Sequence, residues 1–224
     1  MFVVLCIVLG AGHSMGEDEK AFEAYRFNPF QFPYPEYSYK ADIVAISHLN
    51  QAPKDTTSID CFGISALFPK KYVDQVDKKS PSRLVIRSKN NQAIMINREK
   101  DQRMGCSDES EKNNKDFCSA FTSTEDFYNK LFTLTPDDLA KDTYASTGFA
   151  WIVHRKGIMF QRVSDVKIYK GKGLTIYRTD LKDPDMSIKT ELIVFPESIK
   201  PDFLILSMNF KDNDLIETFI SSAK

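Results

Sequence analysis

Hydrophobic and polar positions alternate most clearly in the last third of the chain. Phe149–Val153, Ile158–Val163, Val166–Tyr169, Leu174–Tyr177, Leu192–Phe195 and Leu204–Phe210 are apolar segments of strand length. Lys156-Gly157, Gly171-Lys172-Gly173 and Asp183-Pro184-Asp185 punctuate them, and connections this short force antiparallel neighbours. Leu204, Leu206, Met208 and Phe210 alternate with a more mixed set, as on a half-buried strand. Asp212 or Asn213 then caps a final helix whose Leu215, Ile216, Phe219 and Ile220 share one face.

Upstream, Asp42–Leu49 has the texture of a strand, and Ile59–Phe68 that of a strand stopped by Pro69. Lys70–Lys79 is polar and predicts a turn or short helix. Arg83–Ile86 and Ala93–Asn97 predict a hairpin across Ser88-Lys89-Asn90-Asn91, since Asn tolerates the positive φ of a type I′ turn. Two helix starts follow. Thr122 or Ser123 caps a helix carrying Phe127, Tyr128, Leu131 and Phe132, with Glu125 or Asp126 in the reciprocal capping position. Thr135-Pro136-Asp137-Asp138 offers a cap, a proline at the first helical position and acids against the helix dipole. These acids are explained by the helix terminus, and Asp137/Asp138 is not read as a catalytic pair. The fold class is α+β: a mostly antiparallel sheet with packed helices, one of them C-terminal.

The N-terminus reads differently. Phe2–Leu9 (FVVLCIVL) is an uninterrupted apolar run followed by Gly10, Ala11, Gly12, Ser14 and Gly16, the small residues a signal peptidase accepts. Cleavage after Gly16 makes Glu17 the first mature residue. The run is well short of the about 20 residues a membrane-spanning helix needs. It lacks a preceding Lys or Arg, so a buried N-terminal strand is the competing reading. Cys6 follows Leu5 rather than a small residue and is read as part of the apolar run, not as a lipid attachment point.

Residues 17–40 form an arm rich in aromatic residues and proline. Within it, RFNPFQFPYPEYSY (Arg26–Tyr39) has three prolines, each of which removes a backbone donor and fixes φ, so the segment is extended rather than helical. Its rings either pack on the domain or present a docking strip, and Phe30, Phe32, Tyr34 and Tyr37 are the binding candidates. Residues 41–224 are then one α+β domain.

With 42% hydrophobic residues, 17 of them Phe and 9 Tyr, the chain is rich enough to bury a core. Its 30 basic and 31 acidic residues nearly cancel, which argues against a general nucleic-acid binder. In the mature chain Cys61, Cys106 and Cys118 remain, and an oxidising compartment pairs two of them. Cys106 and Cys118 bracket the polar loop SDESEKNNKDF, which has no hydrophobic means of fixing itself. Closing such a loop contributes roughly 2–3 kcal/mol. Cys61, beside Phe62, is then a buried thiol.

The chain has no P-loop, H-E-x-x-H, EF-hand loop or G-x-S-x-G elbow. No C-x-x-C occurs and the three histidines are scattered, so no metal site and no cofactor are expected. Gly171-Lys172-Gly173 is explained by a turn. Cys61 with His154, or with His48, is the one nucleophile–base pairing open to the sequence, and nothing in it places those residues together.

The order of elements from Phe62 onward resembles the PsbP-like fold, named for an extrinsic subunit of the photosynthetic oxygen-evolving complex. The similar features are FGISALFPKKY, a hairpin, a helix of the TEDFYNKLF kind, an antiparallel meander and the closing LILSMNFKDNDLIETFISSAK. They cover about two-thirds of the chain; the Cys106–Cys118 insertion and the N-terminal arm depart from the pattern. The resemblance rests on element order, so no family site residues transfer. It implies a non-enzymatic exported domain that binds a larger assembly. The expectation is thus an exported binding or accessory protein, periplasmic or extracellular, with a protein partner or a small apolar ligand. The alternatives are a secreted hydrolase using Cys61 and His154, and a carrier of a lipophilic ligand held between sheet and helix.

Overall fold

A computed structural model of the chain describes residues 38–49, 54–103, 106, 115–139, 147–171, 173–182 and 187–224. The expected signal segment 1–16, nearly all of the arm 17–40, the interior of the Cys106–Cys118 loop, and the Asp183-Pro184-Asp185 turn lie outside the described residues. The described chain divides into two compact units, one formed chiefly by Gln102–Gln161 and one by Ala41–Asp101 with Arg162–Lys224.

The second unit is the sheet. Its strands are β1 (Asp42–Ala45), β2 (Thr56–Asp60), β3 (Ser65–Pro69), β4 (Gln75–Ser80), β5 (Arg83–Arg87), β6 (Ala93–Glu99), β7 (Val163–Gly171), β8 (Leu174–Leu181), β9 (Thr190–Pro196) and β10 (Phe203–Met208). Eight of them form one sheet in the order β1-β7-β8-β9-β10-β6-β5-β4, while β2 and β3 pair only with each other. Two antiparallel meanders, β4-β5-β6 and β7 to β10, join through the antiparallel β10–β6 pair; the one parallel ladder is β1 on β7. Mostly antiparallel pairing is what the short connections demand.

One face of this sheet carries Ile176, Val194, Leu204, Leu206, Leu192, Ile96, Leu84, Ile94, Ile86 and Met208 in register. The C-terminal helix (Asn213–Ser222) and the β2–β3 hairpin complete the core on that side: Leu215, Ile216, Phe219 and Ile220 are buried with Phe68, Ala66 and Ile64. Burying that many aliphatic and aromatic side chains is the main stabilising term, each contributing on the order of 1.5–3 kcal/mol. Asp212 caps the helix, its side chain accepting from the Leu215 N–H at 2.8 Å. At the far end of the helix Lys224 and Ser65 exchange two backbone hydrogen bonds, and Ser222 accepts from the Leu67 N–H.

The opposite sheet face is also apolar at its centre. Tyr177, Ile193, Phe195 and Phe203 are buried there, with Phe195 and Phe203 stacked at 5.0 Å. Every residue of β9 is therefore buried.

The first unit contains α1 (Lys115–Ser119), α2 (Thr124–Thr133), α3 (Pro136–Leu139) and α4 (Thr147–Phe160); the C-terminal helix is α5. Within this unit α1, α2 and α3 all pack on α4. Ser123 caps α2 by accepting from the Asp126 N–H, as the sequence pattern predicts, while the Asp126 carboxylate accepts from the N–H and hydroxyl of Thr122, one residue before the cap. At α3 the Asp138 carboxylate accepts from both the N–H and the hydroxyl of Thr135, while the Asp138 N–H donates to the Thr135 carbonyl. Phe117, Phe121, Phe127 and Tyr128 contact edge to face between α1 and α2.

Three local expectations are corrected. Phe149–Val153 and Ile158–Val163 are not two strands about Lys156-Gly157: residues 147–160 are the single helix α4, and only Val163 begins a strand. A helix buried on most sides shows no clear apolar stripe, so its period is invisible, and an interior glycine costs only about 1 kcal/mol. Ile59–Phe68 is not one strand but the end of β2, a two-residue turn and β3. Phe62 (φ 62°) and Gly63 (φ 94°) occupy the two turn positions, both left-handed as a type I′ turn requires. A bulky residue at the first of these positions hides the signal. Lys70–Lys79 contains a single 3-10 turn, Lys70–Tyr72, and then the edge strand β4. The Ser88–Asn91 hairpin forms as expected, although Asn91 alone takes a positive φ and Ser88 organises the loop by accepting from the Asn90 and Gln92 N–H groups.

Candidate functional site

Cys61 follows β2 in the turn of the hairpin. Its side chain is fully buried, and its thiol faces the Ile59 carbonyl at 3.8 Å. Burial, reinforced by the neighbouring Asp60 carboxylate, pushes the thiol up to about 12. A nucleophile must reach the thiolate form, and burial among Ile59, Ile64 and Phe68 opposes that. His154 belongs to the other unit. It sits in α4 rather than on the strand rim that its neighbours suggest, and it is buried edge-on to Trp151 at 6.0 Å. Of His48, only the backbone is described, in a 3-10 turn after β1. The binding candidates Phe30, Phe32, Tyr34 and Tyr37 lie outside the described residues.

Cys106 and Cys118 form a disulfide with their Cα atoms 5.7 Å apart. The pair joins the turn after β6 to α1. Arg103 reinforces this junction by donating to the Cys118 and Phe121 carbonyls at 2.6 and 3.4 Å, which satisfies acceptors at the C-terminal end of α1.

Three buried polar arrangements were not singled out from the sequence. On β8, Arg178 and Asp180 form a bidentate pair, at 3.1 Å from Nε and 2.8 Å from Nη2, with side-chain exposures of 3% and 0%. Arg178 also donates to Asn213 Oδ1 at the start of α5 and to the Tyr169 hydroxyl; Thr190 and Lys211 donate to Asp180. Burial works against both charges, yet the hydrogen bonds win: the Asp180 carboxyl is held below the usual range and the Arg178 guanidinium above it. Arg178 and Asp180 share the strand phase of Leu174 and Ile176, and charged residues in a core phase are the signal that could have found them.

On β9, Glu191 lies directly across from Ser207 and Thr179 on the other sheet face. The Ser207 hydroxyl is 3.4 Å from its carboxylate, and burial pushes the carboxyl up to about 7 despite that contact. In α4, Lys156 is fully buried and donates its ammonium to the Leu134 carbonyl, the C-cap of α2. Burial draws it down to about 8, partly countered by Asp138. Chemically these groups are a saturated ion network, a protonatable acid and a helix-capping ammonium. Each has a structural explanation within its own unit.

Tyr72 completes the picture at the α5 cap, where its hydroxyl donates to Asp212 and its ring stacks on Phe210 at 5.1 Å. Between the β2–β3 hairpin and α5, side chains such as Phe68 and Phe219 are in contact, their rings 5.7 Å apart.

No family model, curated protein or solved structure matches the chain. Among the described residues no helix is long and apolar enough to cross a membrane, and no group of three or more His, Cys, Asp or Glu side chains is placed to hold a metal ion.

Proposed function

We propose that the protein is an exported, non-catalytic binding or accessory domain, of the PsbP-like kind its element order resembles. The observation that carries this reading is the Cys106–Cys118 disulfide, because such bonds persist in oxidising compartments and are rare in reducing ones. The apolar segment Phe2–Leu9 with its small-residue flank supplies a route to such a compartment. The buried, strongly protonated Cys61 thiol supports the non-catalytic part by opposing the Cys61–His154 hydrolase.

The docking element of this reading is the arm, with Phe30, Phe32, Tyr34 and Tyr37 engaging a protein partner or a small apolar ligand. Deleting Arg26–Tyr39 is expected to weaken capture of the partner from the native host while the sheet unit stays folded. A deletion that unfolds the sheet would make the arm a structural element and remove it as the docking site.

A further inference from the structure

Open strand edges are templates for another chain, and folded proteins blunt them with charge, bulges, short length or cover. The sheet unit has four outermost strands, and three are managed. β1 is four residues long. β4 carries Lys78 and Lys79 and breaks register between Lys78 and Ser80. β3 is closed by Lys224, which pairs with Ser65, and by Ser222, which accepts from Leu67.

Among the described residues the outer edge of β2 is blunted only by the single exposed charge of Asp60. The Cys61–Ile64 and Asp55–Lys70 backbone bonds fix which residues face β3, namely 55, 57, 59 and 61. The N–H and C=O groups of Thr56, Ser58 and Asp60 therefore point away from it, and none has a hydrogen-bond partner among the described residues. The strand has no proline, no bulge and no lysine within its five residues.

We propose that this edge docks a second copy of the chain, β2 pairing antiparallel with β2 of the other copy about a two-fold axis at Ser58. The sequence TTSID is complementary to itself in that register. Thr56 faces Asp60 of the other copy, Ser58 faces Ser58, and about six main-chain hydrogen bonds form. The single acid of the strand avoids its own copy. Its diagonal neighbour is Lys54 of the other copy, within roughly 7–8 Å, and the symmetry makes two such opposite-charge pairs. Lys54 is exposed. This contact is isologous and closes at two copies, so it yields a dimer and not a fibre.

The test is sedimentation velocity on the protein over a concentration series, with hydrogen exchange at the amides of Thr56, Ser58 and Asp60. A concentration-dependent dimer that protects these three amides is expected. Ser58→Pro removes an outward donor that β3 does not use and should abolish the dimer while leaving the far-ultraviolet circular dichroism unchanged. Lys54→Glu, a surface change independent of the hairpin turn, should raise the dimer dissociation constant about tenfold. A protein monomeric at every concentration, or a dimer indifferent to Lys54→Glu, overturns the proposal.

Discussion

The Arg178–Asp180 network of the sheet unit and Lys156 of the helical unit bury charge in opposite ways. In the sheet unit, Arg178 and Asp180 are buried together and share four further partners, so each charge is matched where it lies. In the helical unit, Lys156 is buried against a backbone carbonyl, and Asp138 acts on it through its charge. The elements differ accordingly. The sheet is held by long ladders over a continuous apolar core, whereas α1 to α3 span 5, 10 and 4 residues. Helices this short are marginal on their own, so the helical unit depends on a covalent tie, aromatic contacts and caps. The lesson is that the sheet unit gains its uniqueness from non-local registry, the helical unit from a few fastenings.

The sharpest way to break that contrast is to unmatch the sheet's network. Arg178→Met leaves Asp180 buried with Lys211 and Thr190 only, and is expected to cost about 3 kcal/mol in urea unfolding followed by a sheet signal. A loss below about 1 kcal/mol would mean that the pair is not desolvated as described. Next in size is the covalent tie. Cys106→Ser with Cys118→Ser should destabilise the helical unit by roughly 2–3 kcal/mol, seen as faster hydrogen exchange in α1 and α2 with β8 and β9 unchanged.

The two lone buried groups give opposite pH signatures. Glu191 has a folded-state pKa raised from 4.5 to about 7, so its contribution is full below about pH 4.5 and is lost as pH rises through about 7. Glu191→Gln should flatten that decline, whose full span is about 3 kcal/mol at most. Lys156 has a folded-state pKa lowered from 10.5 to about 8, so its burial cost is present below about pH 8 and is relieved as pH rises toward 10.5. Lys156→Met should remove that upward trend in the helical unit. Substitutions that change the pH slope in the same direction would contradict the contrast. The smallest effect is expected at Ser123→Ala, about 1 kcal/mol, confined to α2 and its neighbours.

Legibility in the sequence follows the same division. The strands β7 to β10 and the closing helix α5 were readable because turn and capping residues separate apolar segments, as at Gly171–Gly173 and Asp212, although β8 runs four residues past the apolar segment Leu174–Tyr177. The Cys106–Cys118 pair was readable because the loop it closes is polar apart from Phe117, next to the second cysteine, and needs a tie. Helix α4 was not, because its buried face of Ile152, Val153, Lys156 and Phe160 includes a lysine, while apolar residues such as Ile158, 46% exposed, lie off that face and blur the period. The Phe62-Gly63 turn was hidden by an aromatic residue where Asn or Asp is the usual sign. The Arg178–Asp180 network was missed because its partners come from β7, β9 and α5, a convergence that no local window contains.

The most direct test of an exported, disulfide-tied protein with an inert third thiol is an intact mass spectrum of the protein from its own host, alkylated native, denatured, and denatured after reduction. The account predicts a chain beginning near Glu17 that takes no label when native, one when denatured, at Cys61, and three after reduction. A chain that keeps its first residues and labels every cysteine without reduction would contradict both the disulfide in the cell and the export built on it.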